Sequence, residues 1–496
     1  MKTTRFFRYS WLGALLGLTA CSEDFLDLQP NTQVSTSSFY ASTSDFRTAV
    51  NAAYAALQPD ALYGSTYSHF TEVPADNVTV QNPNGAGGIA QNEFDLFVVT
   101  PTNPSLLTFY SGSYTAIQRC NIVLSRIDAS EVPAALKDQF IGETKFIRAL
   151  MFFNLVRFFG DVPLVLTEIN AAEEGYAFER APAAKVYEQI LADLTDAEAK
   201  LPVSYTGTDV GRATRGAAKT LLGKVYLTQQ NFPLAVTKLK EVIDLTGPGG
   251  RVYDLAPAYR DNFDPAKSNN AGHRESIFEI QYKTGGIGEG SPFTSATAPP
   301  NGPLSLTGIG NGNGVFMWPT VQAFNAMPRT DPRRAATVDS LIINGQMQRF
   351  VRKYLQPQYG SIPFNAFDSD MNFPLLRFAD VLLMYAEALN EVNNGPNAAA
   401  YEAINRVRRR GHGVTTAAFD VPPGLSKTAF ALAVEAERRI ELAFEGHRWP
   451  DLVRTGRAIP VMTALGFNVK PHHLLFPIPQ AEIDINPTKM TQNPGY

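Results

Sequence analysis

Cysteine is nearly missing from this chain: two of 496 residues, Cys21 and Cys120. A scaffold stapled by several disulfides is thereby excluded. Positive charge is not in excess either, with 43 Lys and Arg against 47 Asp and Glu. Nucleic acid is therefore not an expected partner, because binding it needs a basic face, and the only dense basic cluster lies at residues 406–410. The usual catalytic signatures are also absent. No Gly-x-Ser-x-Gly elbow and no Cys/His nucleophile pair occurs, and the six histidines do not have zinc-ligand spacing. The glycine clusters at 286–290 and 308–314 neither follow a strand nor open a helix, so they are not phosphate cradles.

What is present begins at the N-terminus. Lys2, Arg5 and Arg8 precede an apolar stretch over residues 11–18. That stretch is far short of the roughly 20 residues a membrane span requires. It ends in Leu18-Thr19-Ala20-Cys21, a lipobox pattern, so residues 1–20 read as a signal peptide and Cys21 as the acylated first residue of the mature chain. Acyl chains then hold the protein on a membrane without a spanning helix. Removing residues 1–20 takes away three basic and no acidic residues, leaving a net charge of −7. Cys120, in an apolar-periodic run, reads as a core residue.

Residues 21–38 are acidic and then Ser/Thr-rich, which suits a tether. Helical periodicity follows over residues 39–57, 106–127, 136–159, 185–201, 213–228, 233–245, 376–392, 398–410 and 427–445. No strands alternate with these helices, so a βαβ sheet is not expected. Residues 136–159 are apolar almost all round, which predicts a buried central helix stopped by Gly160-Asp161-Val162-Pro163.

A repeat appears among the helices. Gly223 and Tyr226 in one helix are followed by Ala235 and Leu239 in the next, and Ala388, Ala400 and Ile404 repeat those offsets. Small residues at such spacing let two helices approach closely, as in a tetratricopeptide unit. The expected fold is mainly α, a tetratricopeptide-like helical-repeat scaffold with long irregular loops. It is read as one globular unit with an N-terminal region at 39–260 and a C-terminal region at 261–496.

The irregular stretch from 283 to 313, rich in Gly, Ser, Thr, Pro and Asn, predicts a functional loop. Phe293, Phe316 and Trp318 lie in or beside it. Glu437, Glu441 and Glu445 recur every four residues, the spacing of a carboxylate row, but Arg438, Arg439 and Arg448 interleave with them. An ion-pair network is the favoured reading over a glycosidase-type acid/base pair.

Several blocks resemble the SusD/RagB family of nutrient-uptake outer-membrane lipoproteins. These are Phe146-Ile147-Arg148-Ala149, the run from Val156 through Gly160-Asp161-Val162-Pro163-Leu164, and Arg212-Ala213-Thr214 leading to Gly223-Lys224-Val225-Tyr226. Arg377-Phe378-Ala379-Asp380, Glu437-Arg438-Arg439-Ile440-Glu441 through Glu445-Gly446-His447-Arg448-Trp449, and Leu475-Phe476-Pro477-Ile478-Pro479 continue the resemblance. It implies a tetratricopeptide-like fold, a non-enzymatic role capturing oligosaccharides or peptides, no cofactor, and a TonB-dependent SusC-like transporter as partner. It also implies an outer-membrane location through the lipid anchor, facing the cell exterior. Where starch-binding relatives place an aromatic platform, this chain has Phe109 and Tyr110.

The candidate ligand contacts come from two segments, Tyr67, Asp76 and Asn77 in the first and Phe316 and Trp318 in the second, with Tyr110 between them. Together these offer stacking faces and hydrogen-bonding edges. A surface glycoside hydrolase and a structural assembly lipoprotein that uses its repeat helices for protein partners are the alternatives.

Overall fold

The structure is a computed structural model that describes residues 39–81, 88–268, 272–307, 317–356 and 365–496. The lipobox at Cys21, the tether and Phe316 lie outside the described residues.

Ten helices carry the architecture: α1 (Thr43–Ala55), α2 (Pro104–Arg126), α3 (Ala134–Phe159), α4 (Ala183–Lys200), α5 (Arg215–Thr228), α6 (Phe232–Ile243), α7 (Phe378–Val392), α8 (Ala398–His412), α9 (Lys427–Glu441) and α10 (Arg448–Arg454). Many of their starts are written in the chain. Ser42 and Asp45 form a reciprocal capping box at α1, while Asn103, Thr214, Asn231, Asn397 and Ser426 each accept a backbone N–H at the start of their helices. A cap of this kind contributes about 1 kcal/mol, enough to set where a helix begins.

Neighbours in sequence are neighbours in space. α1 packs on α2, α2 on α3, α3 on α4, and so on through α7, which packs on both α8 and α9. This is the nearest-neighbour stacking of a repeat scaffold. The glycine offset has a direct steric reason: a Cβ at Gly223 would lie 2.7 Å from the Leu239 side chain, so only glycine lets α5 and α6 approach this closely. Ala388, Ala400 and Ile404 are likewise fully buried. α3 is buried along nearly its whole length, from Phe140 to Phe159. Cys120 sits in the same core, and burial pushes its thiol up to about 12.

Among the described residues strands form five pairs, all short, of which three bear on the site: β1 (Val78–Thr79) with β3 (Trp318–Pro319), β2 (Ser276–Ile280) with β6 (Phe373–Arg377), and the hairpin β4 (Val338–Ile343) with β5 (Gln346–Val351). The hairpin turns on Asn344 and Gly345, both at positive φ. One large cluster of buried apolar residues runs from Ala53 to Met490 and includes residues of both sequence regions.

A late segment closes over an early one. The Phe476 N–H donates to the Phe158 carbonyl at 2.7 Å, and the Gln480 N–H to the Pro101 carbonyl at 2.9 Å. The Asn493 side-chain amide donates to the carbonyls of Phe159 and Phe476 at 3.0 and 2.7 Å.

Candidate functional site

The two segments expected to share a ligand meet. β1 and β3 form an antiparallel ladder that sets Val78 opposite Pro319 and Thr79 opposite Trp318. The Thr320 N–H donates to the Asn77 carbonyl at 3.0 Å, and the Thr320 hydroxyl to the Asp76 carbonyl at 2.7 Å. The ladder therefore brings residues 76–79 and 318–320 to one place. Ile89, Leu96, Val98 and Leu304, in the segments on either side in the sequence, are exposed.

The ladder is bolted to the C-terminal helices. Arg448 grips the Asp76 carboxylate with Nε at 2.7 Å and Nη2 at 3.0 Å, and Arg439 donates from Nε to the Asn77 side-chain oxygen at 2.8 Å. Burial opposes the charge on Asp76, but Arg448 and Arg439 outweigh it and hold its carboxyl below the usual range.

Tyr67, Asp76, Asn77 and Trp318, four of the six expected contact residues, are buried inside the protein. Asp76 and Asn77 are buried in the arginine lattice. Trp318 keeps 7% of its surface exposed in the ladder, so its ring lies mainly among protein neighbours. Tyr67 is buried beside Phe109 and Phe158, with ring centroids 6.4 and 6.1 Å away. Its hydroxyl donates to the Gly446 carbonyl at 3.4 Å. A Cβ at Gly446 would come within 2.4 Å of the Tyr67 ring, and φ there is +79°, so glycine is required on both counts. Phe293, in the stretch expected to be irregular, is also core, stacked on Phe373 at 5.1 Å.

Tyr110 lies elsewhere, on α2. With Tyr114, Gln118 and Glu482 it walls two adjoining grooves of about 520 and 340 Å³. The Tyr110 and Tyr114 rings are 5.0 Å apart, and burial raises the Glu482 carboxyl above its usual range. The structure therefore joins the early and late segments but does not bring Tyr110 to their ladder.

The carboxylate row, Glu437 and Glu441 on α9 and Glu445 just past its end, is an ion-pair network, with partners other than those its sequence neighbours suggested. Arg333 donates to Glu437 at 2.5 Å and Glu441 at 2.9 Å. Arg377 binds Glu445 at 2.7 Å, Glu275 at 2.6 Å and Glu441 at 3.1 Å, and Lys353 binds Glu445 at 2.8 Å. Arg438 turns instead to Asp380 and Asp451, each at 2.7 Å. Burial opposes the charge on Glu441, but Arg410, Arg377 and Arg333 bring its carboxyl down to about 2. Such a group stays ionised and has no surface through which to meet a substrate, so it is structural. Sequence periodicity found the row; its partners come from residues 333–410, a pairing that needs the tertiary fold.

Comparison with known proteins agrees at both ends of the chain. A family model described as "SusD family" matches residues 333–496, and one described as "Starch-binding associating with outer membrane" matches residues 24–227. The SusD-like proteins P25 and P2 of Formosa agariphila are 28% and 27% identical, over 96% and 99% of this chain and the same shares of their own. Among solved structures, a laminarin binding SusD-like protein is 27% identical with a TM-score of 0.77, covering 92% of this chain and 100% of its own. A SusD homolog from Bacteroides thetaiotaomicron is 25% identical with a TM-score of 0.81, covering 94% of this chain and 99% of its own. Matched in sequence through both of its regions and in backbone over nearly its whole length, the chain belongs to the SusD family.

Proposed function

We propose that this protein is a lipoprotein of the outer-membrane surface that captures glycans and hands them to a TonB-dependent SusC-like channel. The observation that carries the reading is the whole-length likeness to a laminarin binding SusD-like protein. Geometry adds to it, since the β1–β3 ladder gathers two loop segments onto one rigid frame. In this reading Tyr67, Asp76, Asn77 and Trp318 set the positions of the loops, Phe316 beside them in the chain is the aromatic that meets the ligand, and Tyr110 walls a second groove. Each contact with a sugar is weak, and repetition along a polymer raises the total affinity. Weak single contacts also suit a carrier that must release its cargo.

Affinity electrophoresis of the mature protein through gels containing laminarin, starch, xylan or pectin tests capture. Retardation by at least one polysaccharide is expected, and free migration through all four overturns the reading. For delivery, the lipoprotein should co-purify with a channel protein from outer membranes, and its recovery alone counts against a shared complex. The glycosidase alternative draws no support from the α9 carboxylates, which are fully buried and paired with cations.

A further inference from the structure

Between α5, α7, α9 and α10 lies a cavity of about 390 Å³, within the size range of small-molecule sites. It reaches the loop frame only at Asn77. Leu227, Leu432, Leu442, Leu452 and half-buried Phe232 give it an apolar lining.

Its polar groups are unequally occupied. Each carboxylate that lines it is already held by a cation: Glu387 by Arg454, Glu391 by Lys427, Glu435 by Arg448 and Arg457, and Asp451 by Arg438 and Arg454. The arginines have donors to spare. Arg439 binds Asn77 and Asp76 through Nε and Nη2, and its Nη1 has no protein partner among the described residues. Arg457 engages Glu435 through Nε alone, at 3.0 Å, so both of its terminal nitrogens are without a protein partner among the described residues; its side chain is 39% exposed. One run of ion pairs links the two, from Arg457 through Glu435, Arg448 and Asp76 to Arg439.

Charge points the same way. Five arginines line the cavity against four carboxylates, and with the ions that brace them (Lys224, Lys427, Asp76 and Asp380) seven cations meet six anions. His447 adds no charge, because burial and then the nearby Lys224 keep its ring neutral. A ligand that complements this cavity brings acceptor oxygens, one negative charge and an apolar face. A neutral sugar leaves the extra charge unanswered, and an inorganic anion leaves the apolar lining uncovered.

Resting on the glycan-capture reading, we propose that this cavity binds a uronate unit of an acidic glycan. The sugar carboxylate meets Arg439 and Arg457, and the C–H face of the ring lies on Leu432 and Phe232. Calorimetric titration of the full mature protein with oligogalacturonate, a neutral laminari-oligosaccharide of equal length, sodium sulfate and acetyl-leucine tests it. Oligogalacturonate should bind. Arg457→Gln should weaken that binding roughly tenfold, as the loss of one charge-assisted hydrogen-bond pair predicts, with the melting temperature and any neutral-glycan binding unchanged. Leu432→Asn, on the exposed lip, should weaken it as well. No oligogalacturonate binding, or equal binding by both variants, overturns the inference. So does displacement by sulfate at matching concentration, which would mean an adventitious ion only, or equally tight acetyl-leucine, which would mean a peptide-type carboxylate. A protein that binds a neutral glycan but no uronate loses this inference and keeps the capture reading; one that binds no glycan loses both.

Discussion

Glu72 has no exposed surface, and its Oε1 accepts the N–H groups of Gly446 and His447 at 2.7 and 3.2 Å. Burial pushes its carboxyl up to about 8, more than those two donors can offset. A raised carboxyl favours the folded state only while it stays neutral. Its contribution is therefore complete below about pH 4.5, its ordinary value, and is lost as pH rises through about 8. Glu72→Gln should flatten the fall in urea midpoint between pH 5 and pH 8.5, and an unchanged slope would assign the pH dependence to other groups. Phe153, 1% exposed in α3, should cost about 3–5 kcal/mol when truncated to alanine, and a change under about 0.5 kcal/mol would remove α3 from the centre of the core. Trp318→Ala should cost a comparable amount, about 3 kcal/mol, because the ring is mostly buried in the ladder. A variant with an unshifted melting temperature and lost glycan binding would instead give Trp318 direct contact with the sugar. Phe153 was legible in the sequence because its helix is apolar on every face. Trp318 was not, because an aromatic in a Gly- and Asn-rich stretch looks the same whether it stacks on a sugar or on the protein.

At the level of elements, α9 binds the halves of the molecule together. Its carboxylates, with Glu445 just past its end, take cations from β6, α8 and residues 333–353, and its Arg439 holds β1 through Asp76 and Asn77. Removing one partner of a buried pair leaves the other charge unanswered. Arg377→Met should therefore destabilise by about 3–5 kcal/mol, read as a fall in urea midpoint, whereas a loss below about 1 kcal/mol would show that the network relaxes around the gap. Nearly all the long helices were visible in the sequence through periodicity and caps. The β4–β5 hairpin was overlooked, although Asn344-Gly345 between two alternating runs is its usual sign. It pairs Ile342 with Met347 on the exposed surface. The expected helix over residues 427–445 ends sooner, at Glu441, because Phe444 and Gly446 take positive φ to turn the chain toward α10.

For the whole molecule, the consecutive stacking of helices explains why the fold class was readable from one sequence: each helix needs only its neighbour, and neighbours are adjacent in the chain. The loop site was half readable. Composition marked both segments, but the ladder joining them spans about 240 residues and no local pattern records it. The anchor proposed above is a lipid on Cys21. Cys21→Ser should abolish labelling by a palmitate analogue and move the protein from the membrane to the soluble fraction, and a variant still labelled and membrane-bound would place the anchor elsewhere.

The closure of residues 476–493 over residues 101–159 also bears on how such a protein is made. A chain is synthesised in order, and Asn493 must reach back 334 positions to satisfy the carbonyl of Phe159. Until it does, the end of the central helix and the aromatic ring of Phe158 stay uncovered at one edge. Assembly can start as soon as the first helices form, yet it cannot finish until that late segment arrives. In the interval between the two events the molecule carries an apolar edge that only its own last residues can cover.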